Sequence, residues 1–122
     1  MNKTILFIED EAHFQKLVGE QLEEQNFKVL SALNGEIGLK KAIENKPNLI
    51  LLDLILPKKD GFEVLKELKA SEQTKNIPVI VLTNLESAQD VQRALNLGAT
   101  TYLVKTNYKL EEIIKKIKEL CA

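Results

Sequence analysis

The apolar residues of this chain fall into two rhythms. Four short runs, Thr4 to Ile8, Leu49 to Leu52, Ile77 to Leu82 and Tyr102 to Val104, are dense in Ile, Leu and Val and do not alternate with polar positions. Unbroken runs of this length are what strands buried on both faces of a parallel sheet require. A fifth run, Lys28 to Ala32, mixes Lys28 and Ser31 with Val29 and Leu30 and suits a sheet edge. Between the runs, apolar residues recur at helical spacing: Phe14, Leu17, Val18 and Leu22; Leu39, Ala42 and Ile43; Phe62, Leu65 and Leu68; Val91, Ala94 and Leu95; and Leu110, Ile113, Ile114, Ile117 and Leu120.

Five strands alternating with five helices predict an α/β fold, built from right-handed βαβ crossovers with a parallel sheet covered by helices on both faces. The chain breakers agree. Pro47 follows the second helix, Pro57 and Gly61 bracket a loop, Pro78 opens a strand, and Gly98 stands where a helix should end.

Composition narrows the class further. With 122 residues, 44% apolar and 29% charged, the chain reads as one globular domain covering residues 1–122. A net charge of −1, from 17 basic and 18 acidic residues, supplies no positive field for nucleic acid or an anionic membrane, so direct binding to either is not expected. The lone Cys121 precludes an internal disulfide, and no apolar run approaches the ~20 residues of a membrane span. The N-terminus lacks the basic and apolar regions of a secretion signal. A cytoplasmic location is expected.

In open parallel sheets, ligands bind at the carboxyl ends of the strands. The first strand runs into Glu9-Asp10-Glu11, the third ends at Asp53, the fourth at Thr83 and the fifth at Lys105. A single polar residue after a strand often does no more than cap the next helix. Four strand ends together point to a site. Glu9, Asp10 and Asp53 would converge there, and a like-charge pair ~4 Å apart costs about 4 kcal/mol at an effective dielectric near 20, so something positive must sit among them. Carboxylate oxygens favour a hard cation such as Mg2+, which takes few protein ligands and bridges to phosphate oxygens. Lys105 adds a second positive charge and Thr83 a hydroxyl able to donate to a phosphate oxygen. The set fits a phosphoryl group carried on a carboxylate.

The segments TILFIEDE, LILLDLILPKKDG, VIVLTN and GATTYLVK, in this order and at this spacing, resemble the signature segments of response-regulator receiver domains. The likeness covers essentially the whole chain. It implies a flavodoxin-like three-layer sandwich with strand order 2-1-3-4-5 and a two-component signalling role. In this likeness Asp53 is the phosphoacceptor, attacking the phosphorus of a histidine-kinase phosphohistidine, a phosphotransfer protein or a small phosphodonor. Glu9, Asp10, Asp53 and the backbone carbonyl of Ile55 are its Mg2+ or Mn2+ ligands. Thr83 and Lys105 grip the phosphoryl oxygens, while Thr83 and Tyr102 form a switch. Output would pass to a protein through the face of the fourth helix, fifth strand and last helix, from a monomer that dimerises at most on phosphorylation. No enzymatic turnover is implied beyond self-catalysed phosphoryl transfer and slow autodephosphorylation.

Several positions depart from the family's pattern. Proline in a cis peptide usually follows the strand-five lysine, whereas Thr106 stands here. Without proline the cis form costs about 2.5 to 4 kcal/mol, so a trans bond and a reshaped loop are expected, with Thr106 or Asn107 free to cap the last helix. Asn84 replaces a usually small residue and would crowd the pocket. Ile55 and Leu85 occupy positions that influence attack by water, and as apolar residues they imply a long-lived phosphorylated state. His13 reads as a solvated surface residue, and Glu11 as first-turn charge that suits the helix macrodipole rather than as a ligand.

Three other functions compete. A haloacid-dehalogenase-type phosphatase would place its nucleophile after the first strand, with a second Asp two residues on. A flavodoxin-like cofactor binder would want a phosphate-cradling loop where Glu9-Asp10-Glu11 stands. A receiver-like interaction module that works without phosphorylation would show no metal site. The chain ends shortly after its last helix, consistent either with a stand-alone receiver or with a piece of a longer regulator.

Overall fold

A computed structural model describes residues 3–121. Along the chain run β1 Thr4–Ile8, α1 Ala12–Glu24, β2 Lys28–Ala32, α2 Gly35–Asn45, β3 Leu49–Leu52, α3 Gly61–Ala70, β4 Val79–Thr83, α4 Ala88–Asn96, β5 Thr101–Val104, a short 3-10 turn Lys105–Asn107, and α5 Leu110–Cys121. The strands form one parallel sheet in the order β2-β1-β3-β4-β5. This is the flavodoxin-like order expected, with β2 at one edge and β5 at the other.

Alternate residues of the central strands feed two separate cores. Leu6, Ile8, Ile50, Leu52, Val79 and Val81 pack with Ala42 of α2, Phe62, Leu65 and Leu68 of α3, and Ala94 of α4. Ile5, Phe7, Leu49, Leu51, Ile80 and Leu82 face the other way, onto Val18 and Leu22 of α1 and Ile113, Ile114 and Ile117 of α5. Each large side chain buried in this way contributes about 1.5 to 3 kcal/mol, which is why strands loaded on both faces lie at the centre. The helix starts have their own chemistry. Asn34, Asp60 and Ser87 accept from the backbone N–H of Ile37, Glu63 and Asp90, each capping one helix.

The structure departs from the sequence expectations in detail. The fourth strand begins at Val79, after Ile77 and Pro78, and includes Thr83 as its last residue. Leu17, Ile43, Leu95 and Leu120 lie on the outer margins of their helical stripes and are exposed, because each helix meets the sheet along only part of that stripe. The Lys105–Thr106 bond is trans, as expected, there being no cis peptide among the described residues. Thr106 and Asn107, however, do not cap α5. They lie in the 3-10 turn, and α5 starts instead from Lys109, whose carbonyl accepts from Ile113 N–H while its own N–H donates to Glu112 Oε1 at 2.8 Å.

Candidate functional site

Strand register assembles the site before any side chain is considered. Ile8 pairs with Leu52, and the Asp53 N–H donates to the Ile8 carbonyl at 3.0 Å, so Glu9 and Asp53 leave neighbouring strands side by side. Thr83 pairs with Val104, which brings Lys105 to the same end of the sheet. Behind Asp53, α3 approaches very closely. The Gly61 N–H donates to the Leu54 carbonyl at 2.9 Å, and a Cβ on Gly61 would lie 2.3 Å from the Asp53 carbonyl oxygen and 2.4 Å from Leu54 Cα. Only glycine fits there.

Glu9, Asp10 and Asp53 can each offer one carboxylate oxygen, all within 4.8 Å of one another. Glu9 and Asp53 are buried and Asp10 is exposed. The Lys105 ammonium donates to Asp53 Oδ2 at 3.0 Å and lies 2.7 Å from Glu9 Oε1. At that distance the second contact is charge-assisted as well, so one ammonium is shared between two buried carboxylates. Glu9 Oε2 accepts from Glu11 N–H at 3.1 Å, and Asp53 Oδ1 accepts from Ile55 N–H at 3.3 Å. Neither Glu9 nor Asp10 caps α1, whose first flanking residue is Glu11 and has no side-chain cap bond.

Burial pushes the Glu9 carboxyl up to about 7 against the pull of Lys105, and the Asp53 charge adds to the rise. Burial draws the Lys105 ammonium down, but Glu9 and Asp53 outweigh it and its pKa ends above the ordinary lysine value. Three carboxylates thus face one ammonium. A hard divalent cation supplies the positive charge that is lacking, so the donor set fits such an ion.

The remaining expected residues lie around this centre. Thr83 is fully buried, and its Oγ1 accepts from Leu85 N–H at 3.5 Å. The Tyr102 hydroxyl donates to the Leu85 carbonyl at 2.8 Å. Burial, with the charges of Asp90 and Asp53, pushes that hydroxyl up to about 12, so it stays a donor. Thr83 and Tyr102 therefore hold opposite ends of one peptide residue. Ile55 is 55% exposed, and Asn84 and His13 are exposed.

Two residues that the sequence did not mark as part of the site lie against it. The Gln15 carboxamide nitrogen donates to the carbonyls of Ala32 at 3.0 Å and of Phe7 and Glu9 at 3.2 Å, tying the ends of β1 and β2 together. Phe14, read as part of an apolar stripe, carries the Lys105 ammonium 4.6 Å from its ring centroid. A polar amide one turn beyond an acidic loop was the available signal for Gln15. Nothing in the sequence marked Phe14.

A family model of the response regulator receiver domain matches residues 5–118. The DNA-binding dual master transcriptional regulator RpaA of Synechocystis is 39% identical over 116 residues, 95% of this chain and 48% of RpaA. The chain spans about half the length of the curated relatives it matches. Among solved structures, the chemotaxis protein CheY4 of Vibrio cholerae is similar at a TM-score of 0.89 and 27% identity, covering 98% of each chain. The Mn(2+)-bound form of response regulator Rcp1 is similar at a TM-score of 0.80 and 36% identity, covering 97% of this chain and 91% of that one. No helix among the described residues is long and apolar enough to cross a membrane.

Proposed function

This chain belongs to the response regulator receiver domain family of two-component systems, and on that premise we propose that Asp53 accepts a phosphoryl group from a histidine kinase or phosphotransfer protein. The observation that carries the reading is the Asp53 carboxylate, buried yet held by Lys105 inside a three-carboxylate cluster. Glu9, Asp10 and Asp53, with the Ile55 carbonyl, would hold Mg2+ or Mn2+; the Mn(2+)-bound form of Rcp1 supports a divalent ion here. Such an ion, when bound, neutralises charge on phosphoryl oxygens.

The chain's own residues do the rest. An Asp53 carboxylate oxygen bonds to phosphorus as the donor's P–N bond breaks, its electron pair staying on the imidazole nitrogen. Lys105, kept protonated by its carboxylate neighbours, offsets the charge of the transferred group. Thr83 Oγ1 accepts from Leu85 N–H and keeps its own hydrogen to donate. Little covalent work falls to the protein beyond positioning and charge. Because Leu85 is bonded to both Thr83 and Tyr102, a phosphoryl oxygen that recruits Thr83 would disturb the Tyr102 bond and alter the α4–β5–α5 face. A downstream protein would dock there, in the cytoplasm, with residues 1–122 acting as a receiver that makes no direct contact with nucleic acid and is monomeric until phosphorylated. The gathered carboxylates of Glu9, Asp10 and Asp53 weigh against a module that works without phosphorylation, which would need no metal site.

Titration with beryllofluoride and Mg2+, followed by the amide NMR signals of Thr83 and Tyr102, tests the reading. Shifts at both in the native protein, absent in Asp53→Asn, are expected. Unchanged spectra, or shifts that survive the substitution, count against it.

A further inference from the structure

The Lys105 ammonium has three neighbours: Glu9 Oε1, Asp53 Oδ2 and, 4.6 Å away, the centroid of the Phe14 ring. Two of the three have other work, since Glu9 and Asp53 are candidate cation ligands and Asp53 is the proposed acceptor. Their hold on Lys105 would loosen once a cation and a phosphoryl group drew on the same oxygens. The Phe14 ring has no competing partner of that kind. Its place is fixed as well: Phe14 sits in the first turn of α1, packed edge-on to Phe7 with centroids 6.1 Å apart and planes at 72°, and Phe7 is fully buried in β1.

We propose that Phe14 is a positioning residue for Lys105, its ring face holding the ammonium beside Asp53 throughout phosphoryl transfer. This rests on the phosphoacceptor reading and deepens it. An ammonium is attracted to the negative face of an aromatic ring, and the attraction is greatest where the charge is shielded from water. The Lys105 side chain is only 9% exposed. Lys105 leads out of β5 directly into the 3-10 turn on a long flexible stem, so a fixed surface for its head group narrows where that head can go.

The test measures Mg2+-dependent phosphorylation by acetyl phosphate in native protein, Phe14→Leu and Phe14→Trp, with Phe14→Leu repeated in a Lys105→Met background. Phe14→Leu is expected to slow the reaction about fivefold, the scale of one lost cation–π contact. Phe14→Trp keeps the ring face and the native rate, and Phe14→Leu adds no further loss once Lys105 is Met. Equal slowing by Leu and Trp, or an undiminished effect in the Met background, overturns the proposal.

A second readout does not depend on phosphorylation. The Lys105 ε-methylene protons, on the carbon bonded to the ammonium that lies over the ring, should be shifted upfield in the NMR spectrum of the native protein, and the shift should vanish in Phe14→Leu. If the native protein takes no phosphoryl group, the acceptor reading fails, and an unshifted ε-methylene overturns the Phe14 contact whatever the rates.

Discussion

Ile55 and Leu85 show how much a site depends on side chains that make no polar contact. Ile55 lends its peptide N–H to Asp53 while remaining exposed and apolar. Leu85 gives its backbone to Thr83 and Tyr102 and packs its side chain against the core. Neither side chain offers a group to orient an attacking water. Replacing them together, Ile55→Asn with Leu85→Glu, is expected to shorten the life of phosphorylated Asp53 several-fold, measured as phosphate release after the phosphodonor is removed. An unchanged or longer half-life runs against the idea. At this scale the sequence named Glu9, Asp10, Asp53, Thr83 and Lys105, because each is a polar residue at the carboxyl end of an apolar run. It was silent on Phe14, because a ring under an ammonium and a ring in a core stripe share one helical spacing. The roles of Tyr102 and the Ile55 carbonyl came only from family resemblance, as no local pattern marks either.

Among elements, α3 is the one whose placement governs the acceptor most directly. Its first residue, Gly61, lies against the backbone of Asp53 and Leu54, where a methyl group has no room and the obstacles are main-chain atoms that do not swing aside. Gly61→Ala is therefore expected to cost about 2 kcal/mol in urea unfolding, the scale of an overpacked core. It should also displace Asp53 and slow its phosphorylation. Native stability in the variant would mean that α3 moves away freely. Element type was legible throughout, since unbroken apolar runs and helical stripes differ in period. Boundaries were less so. The run from Ile77 was read as strand although pairing begins after Pro78, which supplies no N–H to a ladder. Caps assigned to Thr106 or Asn107 gave way to a 3-10 turn that delays α5 by several residues.

For the molecule as a whole, the site is a local conflict inside a fold that is otherwise consistent. Two apolar cores flank the sheet, and three carboxylates gather at its carboxyl end around one ammonium. The conflict links stability to pH. Glu9 rises from an ordinary 4.5 to about 7 in the folded state, so between those values the native protein keeps a proton that the unfolded chain has lost. The stability this contributes is present below 4.5 and is lost as pH rises through 7. At 1.36 kcal/mol per pH unit it amounts to about 3 kcal/mol. Urea unfolding in EDTA should therefore show native protein losing stability from pH 4.5 to 7 relative to Glu9→Gln, with excess Mg2+ reversing the loss near neutrality. Parallel pH profiles for the two proteins would contradict it. The sheet order followed from resemblance and the layering from alternation, while this linkage depends on the burial of Glu9 in the folded chain.

The most direct measurement is intact mass after incubation with acetyl phosphate, with Mg2+ or with EDTA, for native protein and Asp53→Asn. One phosphoryl adduct, present with Mg2+ and absent in EDTA and in the variant, is the expected result. An adduct that survives Asp53→Asn or needs no divalent ion, or no adduct at all, contradicts the assignment of Asp53 as the acceptor.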